Sequence, residues 1–231
     1  MFDERVSVLV PFKSDGGLRL RNWEWLKHRY ELLMPNAEIC MGDAEIRPYC
    51  KSAAVNSAAR KATRDIFIIA DADIAFDTDQ MERAIEMLDN HAWIIPYEDR
   101  KELNEAQTLD LTNNREPSVK FSGIDFTGCG SYAYGVGSIN IVPRRYFEGA
   151  GGFDERFKGW GYEDNAFAMA LDTLYGNHIR PKGSVVWHLN HPPAYVHPKE
   201  NCDLFYSEYG SREAFLVSER YKSLNFNKPE G

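Results

Sequence analysis

Three short segments of this 231-residue sequence concentrate side chains that can hold ions or move protons. Asp71-Ala72-Asp73 follows the apolar run Ile66-Phe67-Ile68-Ile69-Ala70. Two carboxylates two residues apart at a strand end can share a hard divalent cation that also binds a diphosphate. An acidic turn capping the next helix is the alternative. His188-Leu189-Asn190-His191, ahead of Pro192-Pro193, sets two imidazoles three positions apart on a turn. Both rings can face one ion there and suit Mn2+ or a similar borderline metal beside carboxylates, although either can equally be a packed structural histidine. His197 reads as a loop histidine. The third segment runs from Gly149 to Asp164, GAGGFDERFKGWGYED. At its plainest it is a glycine loop whose Glu163 and Asp164 meet a helix dipole favourably. In the sharper reading Trp160, between two glycines on a flexible hinge, covers a substrate while an acid at the helix start accepts a proton from a hydroxyl.

These segments need a scaffold, and apolar periodicity supplies one. Val6, Val8, Leu9, Val10 and Phe12 form a nearly continuous apolar run interrupted by Pro11, as in a buried parallel strand ending at a functional edge. Trp23, Leu26, Tyr30 and Leu33 recur at helical spacing, with Asn22 as the expected N-cap and Pro35 as the stop. Ala37 to Met41 predicts a second strand, and Val55, Ala58, Ala59 and Ala62 a second helix. Asp65 to Ala70 is the third strand. Met81, Ala84, Ile85 and Leu88 mark a third helix, opened by a weak Asp77/Gln80 capping box, and Ala92 to Pro96 a fourth strand. Residues 98–120 are polar and aperiodic and read as a mobile loop, continued by glycines 128–137 before a strand over 138–142. A helix opening at Glu163-Asp164 and a strand at Val185-Val186-Trp187 complete the pattern. Alternating strands and helices predict an α/β fold with a doubly wound, mainly parallel sheet, whose ligands bind beyond the carboxyl ends of the strands.

Composition narrows the function classes. Hydrophobic residues make up 43% and charged residues 27%, which is globular usage. With 27 Lys+Arg against 35 Asp+Glu the formal net charge is −8, which argues against gripping a nucleic-acid backbone as the main role. Cys40, Cys50, Cys129 and Cys202 form no CxxC pair and fit reduced thiols. The opening MFDERVSVLV has too short an apolar run for a membrane span, and with no signal peptide or anchor visible the expected location is cytoplasmic.

Together the strand ending Val10-Pro11-Phe12-Lys13, the D-x-D at 71–73 and Gly159-Trp160-Gly161-Tyr162-Glu163-Asp164 resemble the GT-A-fold glycosyltransferases. The likeness, over roughly residues 5–191, is to inverting galactosyltransferases and chondroitin-polymerase-type domains, in which a GWGGED-like segment follows a GGF turn. The resemblance implies a Rossmann-like nucleotide-sugar-binding half (1–97), a smaller acceptor-binding and catalytic half (98–200) and a C-terminal extension (201–231). By the same resemblance Pro11, Phe12 and Lys13 line the nucleotide pocket, with lysine in place of arginine. Tyr49 and Lys51 hold uracil, and Asn56 falls on that motif's asparagine. Asp73 ligates Mn2+ (or Mg2+), and Asp71 faces the ribose or a metal water. His188 and His191 fall on a ligand pair whose first member is often methionine. Trp160 matches a mobile-loop tryptophan, Glu163 an acceptor contact and Asp164 the catalytic base. Tyr162 stands where the family pattern has a second glycine and narrows the acceptor site.

The implied reaction is hexosyl transfer from a nucleotide-sugar, a UDP-sugar, to an acceptor hydroxyl, with inversion and no covalent intermediate. A metal on Asp73 and His191 would neutralise the diphosphate leaving group. The acceptor class stays open: a glycan on a lipid carrier, a soluble saccharide, a protein or a modified nucleic acid. Two alternatives remain: a catalytically silent nucleotide-sugar- or carbohydrate-binding module, and a nucleotidyltransferase.

Overall fold

The structure, a computed structural model, describes residues 2–44, 49–192 and 198–225. In chain order its elements are β1 (Val6–Pro11), α1 (Leu18–Leu33), β2 (Glu38–Gly42), α2 (Lys51–Lys61), β3 (Ile66–Ala70), β4 (Ile74–Ala75), α3 (Thr78–Glu86), β5 (Asp99–Glu102) and α4 (Glu105–Asn114). There follow β6 (Gly130–Ala133), β7 (Ile139–Pro143), α5 (Arg144–Gly149), α6 (Glu163–Tyr175), β8 (Val185–His188), α7 (Lys199–Glu208), α8 (Arg212–Val217) and α9 (Glu219–Asn225).

β1, β3 and β7 are buried at every position, which is why they read as unbroken apolar runs. They form a four-stranded sheet of order β2-β1-β3-β7, in which β1 pairs in parallel with β2 and β3 while β7 runs antiparallel to β3. The carboxyl ends of β1, β2 and β3 therefore lie side by side, at Pro11, Gly42 and the acidic turn. A second sheet of order β4-β8-β5-β6 holds one parallel pair, β5 with β8, and two antiparallel pairs. Gly42 is demanded by packing, because a Cβ there would lie 1.7 Å from the Ala54 carbonyl oxygen of α2.

Several local expectations are corrected. Helix α1 starts four residues before Asn22, because the Asp15 carboxylate accepts the amides of Gly17, Arg19 and Leu20 and opens the helix early. Asn22 is buried inside the helix and donates to the Asn190 carbonyl instead. Asp77 does flank α3, but its carboxylate accepts the amides of Phe121 and Ser122 and faces Arg29, so no capping box forms. Gln80 reaches the Pro96 carbonyl. The fourth strand shrinks to bridges at Ile94, with Ile141 on one side and Ile179 on the other. The segment expected to be a loop over 98–120 contains β5 and α4, the latter opened by a capping box between Asn104 and Gln107. The sheets are accordingly more mixed than a doubly wound parallel arrangement.

Beyond the main core, α7 to α9 close a second apolar cluster in which Tyr209 and Phe215 pack with Phe157, Ala166 and Ala170. Among the described residues no helix is long and apolar enough to cross a membrane. All four cysteines are free.

Candidate active site

The acidic turn leaves β3 with its backbone already fixed: the Asp71 amide donates to the Ser138 carbonyl and the Ile74 amide to the Asp71 carbonyl. Asp73 is 4% exposed. The Leu189 amide donates to its carbonyl at 2.8 Å, joining the acidic turn to the turn after β8. That second turn is tied down twice more, by the Asn190 amide on Thr108 Oγ1 (2.8 Å) and by Asn22 Nδ2 on the Asn190 carbonyl (3.0 Å). His188 ends β8 opposite Ile74 of β4 and Glu102 of β5.

Asp73, His188 and His191 converge so that one ligand atom of each lies within 4.8 Å of the others. His191 Nε2 is 2.9 Å from Asp73 Oδ2, and His188 Nε2 is 3.6 Å from Oδ1. One carboxylate and two imidazoles suit a borderline divalent ion. Burial alone would raise the Asp73 carboxyl, but His188, His191 and Arg19 outweigh it and hold it well below the usual carboxylate range. Burial disfavours the His191 imidazolium, yet its hydrogen bond to Asp73 and that residue's charge raise it overall. Asp71 is not part of this cluster. Its Oδ1 lies 2.8 Å from Lys51 Nζ, which keeps it with an ammonium rather than with the imidazoles. Asp71, expected as a further metal ligand, is ion-paired outside the cluster, and His197 lies outside the described residues.

Lys51, the first residue of α2, also donates to Asp164 Oδ2 at 2.9 Å, so one buried ammonium bridges the acidic turn and the start of α6. Burial works against its charge, but Asp164 and Asp71 push the ammonium well above its ordinary value. Asp164 Oδ1 is buried without a hydrogen-bond partner. The backbone of Gly137 passes so close that a Cβ there would lie 2.3 Å from Asp164 Oδ2. Glu163 is 4% exposed and accepts the Gly161 amide; burial, with the neighbouring Asp164 charge, pushes its carboxyl up to about 7. It faces inward, which corrects the expectation that it meets an acceptor.

Trp160 is 51% exposed, but the backbone around it is strapped rather than hinged. The Gly159 amide donates to the Tyr49 carbonyl, and Asn201 of α7 donates to the carbonyls of Lys158 and Gly161 while accepting the Lys158 amide. Tyr162 has φ +70, the left-handed region that glycine occupies without steric cost. Its ring stacks on Phe205 at 5.0 Å and meets Tyr206 edge-on at 5.9 Å, so it anchors α7.

A cleft of about 540 Å³ at the ends of β1 and β2 is lined by Phe12, Lys13, Asp43 and Lys61, among others. Pro11 is buried in β1. The Tyr49 hydroxyl is buried without a hydrogen-bond partner. Asn56 is committed elsewhere, since its amide both donates to and accepts from the Phe153 backbone and donates to Glu155. It holds the Gly-Gly-Phe turn in place. Arg19, Glu102, Thr108 and Asn201 join the site unanticipated by the sequence reading.

Two family models match the chain: one described as Glycosyl transferase family 2, over residues 47–150, and one described as the N-terminal domain of galactosyltransferase, over residues 121–192. The first spans the acidic turn, the second the GWGYED segment and the paired histidines. No curated protein matches the sequence. Among solved structures, the mannosyltransferase PcManGT from Pyrobaculum calidifontis, in complex with GDP-Man and Mn2+, is 15% identical with a TM-score of 0.51, over 95% of this chain and 67% of that one. TarS 1-349 of S. aureus, in complex with UDP-GlcNAc, is 14% identical with a TM-score of 0.52, over 93% and 67%. The catalytic domain of Drosophila beta1,4galactosyltransferase 7, in complex with xylobiose, is 15% identical with a TM-score of 0.47, over 84% and 71%. The chain has the GT-A α/β fold. Its sequence resembles the galactosyltransferases over the segment that the second family model covers.

Proposed function

We propose that this chain transfers a hexosyl unit from a UDP-sugar to a carbohydrate hydroxyl, with inversion and with Asp164 as the general base. The observation that carries this reading is the Lys51 bridge. It couples Asp164, whose Oδ1 is buried and unpartnered, to the acidic turn two residues from the Asp73–His188–His191 cluster. A base with one unpartnered oxygen and the acidic turn that carries Asp73 thus share one ammonium. The solved relatives described above carry GDP-Man with Mn2+ and UDP-GlcNAc, which supports a nucleotide-sugar donor and a divalent cofactor.

The donor set fits Mn2+, because a single carboxylate flanked by two imidazoles suits that ion better than the all-oxygen shell Mg2+ prefers. Asp73, His188 and His191 would hold it, and when bound it would neutralise the leaving diphosphate. The chain's own residues do the rest. Phe12 and Lys13 line the cleft proposed for the nucleoside, and Lys51 supplies positive charge between donor and base. The Asp164 carboxylate accepts the proton of the acceptor hydroxyl as its oxygen attacks the anomeric carbon from the face opposite the leaving group. Trp160, exposed beside this acid, covers the bound sugars.

A thermal-shift panel of UDP, GDP, CDP and their sugar conjugates, each with Mn2+ or a chelator, tests the reading. Ligand at a hundred times its Kd stabilises by about 2.7 kcal/mol. A Mn2+-dependent rise confined to uridine nucleotides is expected. Absence of any rise would favour a silent carbohydrate-binding module, and release of pyrophosphate during turnover would instead mark a nucleotidyltransferase.

A further inference from the structure

Resting on the metal reading above, we propose that Glu102 is a positioning residue that locks His188 in the ring orientation and tautomer a divalent cation needs. Glu102 Oε2 lies 2.7 Å from His188 Nδ1, and Glu102 pairs in register with His188 across the parallel β5–β8 ladder. With Nδ1 donating its proton to that carboxylate, Nε2 keeps its lone pair and faces Asp73 at 3.6 Å. Glu102 is itself held: its Oε1 accepts from Arg100 Nε at 2.5 Å, and Arg100 Nη1 donates to Ser138 Oγ at 2.6 Å. The Ser138 carbonyl accepts the Asp71 amide at 2.9 Å, so the chain of contacts returns to the acidic turn. His191 is backed differently, with Nδ1 2.9 Å from the Pro192 carbonyl.

The two imidazoles are therefore unequal. A carboxylate behind a ligating imidazole fixes the ring and raises its basicity, and loss of such a partner lowers metal affinity about 10- to 100-fold. A carbonyl does the first of these and contributes less to the second. Glu102 thereby makes His188, the more exposed ring, a competent partner for the better-buried His191.

The test uses the full chain and Mn2+ alone, with affinity read by electron paramagnetic resonance of the free ion and the fold by apo melting temperature. Glu102→Ala is expected to weaken Mn2+ about 10- to 100-fold with the fold retained. Glu102→Gln, whose amide oxygen still accepts from Nδ1 but lacks charge, is expected to fall between the two, and His191→Ala to lose at least as much as Glu102→Ala. Affinity within twofold of the parent in a folded Glu102→Ala protein overturns the assignment. Should that variant not fold, parental affinity in Glu102→Gln overturns it. If the parent chain binds no Mn2+ at millimolar concentration, the metal reading itself falls and the role of Glu102 goes with it.

Discussion

The two acidic ends of the site are built by opposite strategies. Asp73 and its histidines sit in turns at strand ends, in a register set by the β4–β8 and β5–β8 ladders, and the Leu189 amide joins the two turns at the Asp73 carbonyl. Asp164 sits on the first turn of a helix, after a loop that owes its shape to side chains from α7 and to a lysine far away in sequence. The first arrangement holds its strands through ladder bonds, so removing one side chain there leaves the backbone in place. The second depends on a few side-chain contacts, each of which carries a larger share of the geometry.

The sharpest way to break the comparison is at the base. Asp164→Asn keeps size and one acceptor oxygen but removes basicity, so transfer should fall about 10²- to 10⁴-fold while nucleotide-dependent thermal shifts persist. Transfer at the parental rate would move the base elsewhere.

Next in size is Glu163. Its carboxyl titrates at about 7 in the fold against roughly 4.3 in an unfolded chain, so folding binds a proton within that window. The stability it contributes is full below the lower value and is lost as pH rises through about 7. The loss amounts to about 4 kcal/mol by the shift alone. Glu163→Gln should match the parent near pH 4 and exceed it at pH 8 in urea unfolding, giving a flatter profile. A parental slope in the variant would show that another group titrates.

The smallest expected effect sharpens the role of the strap. Asn201→Ala leaves the Lys158 amide and two carbonyls without their partner and should cost about 1–3 kcal/mol in denaturant unfolding. The Asp73 cluster lies on other elements, so Mn2+ affinity should not change. A matching loss of metal affinity would mean that the two ends are one unit.

These differences also decide what a reader of the sequence can see. Ile66 to Ala70 is buried throughout, so the acidic turn and its place at a strand end follow from a short apolar run. The helix from Glu163 and the strand ending at His188 were visible for similar reasons. β5 was not, because Asp99-Arg100-Lys101-Glu102 is polar and half-buried at every position, and only its partners β6 and β8 make it a strand. α4 left a usable trace, since Asn104 and Gln107 stand in capping-box spacing before Leu111. Asp77 and Gln80 share that spacing without making the box, because Arg29 and the backbone at Phe121 and Ser122 claim the carboxylate. Local pattern cannot tell these cases apart. Nor does any periodicity link Lys51 to Asp164 across 113 positions, or Asn201 to Gly161.

The second apolar cluster has a consequence for where this catalytic unit ends. The last residue with a proposed chemical role is His191, yet Phe157, Ala166 and Ala170, which belong to the loop and helix bearing Asp164, are covered by Tyr209 and Phe215. A chain cut after the histidine turn would keep every residue with a proposed role and expose the apolar underside of the helix that bears Asp164. The smallest piece that can fold is therefore longer than the smallest piece that contains the chemistry.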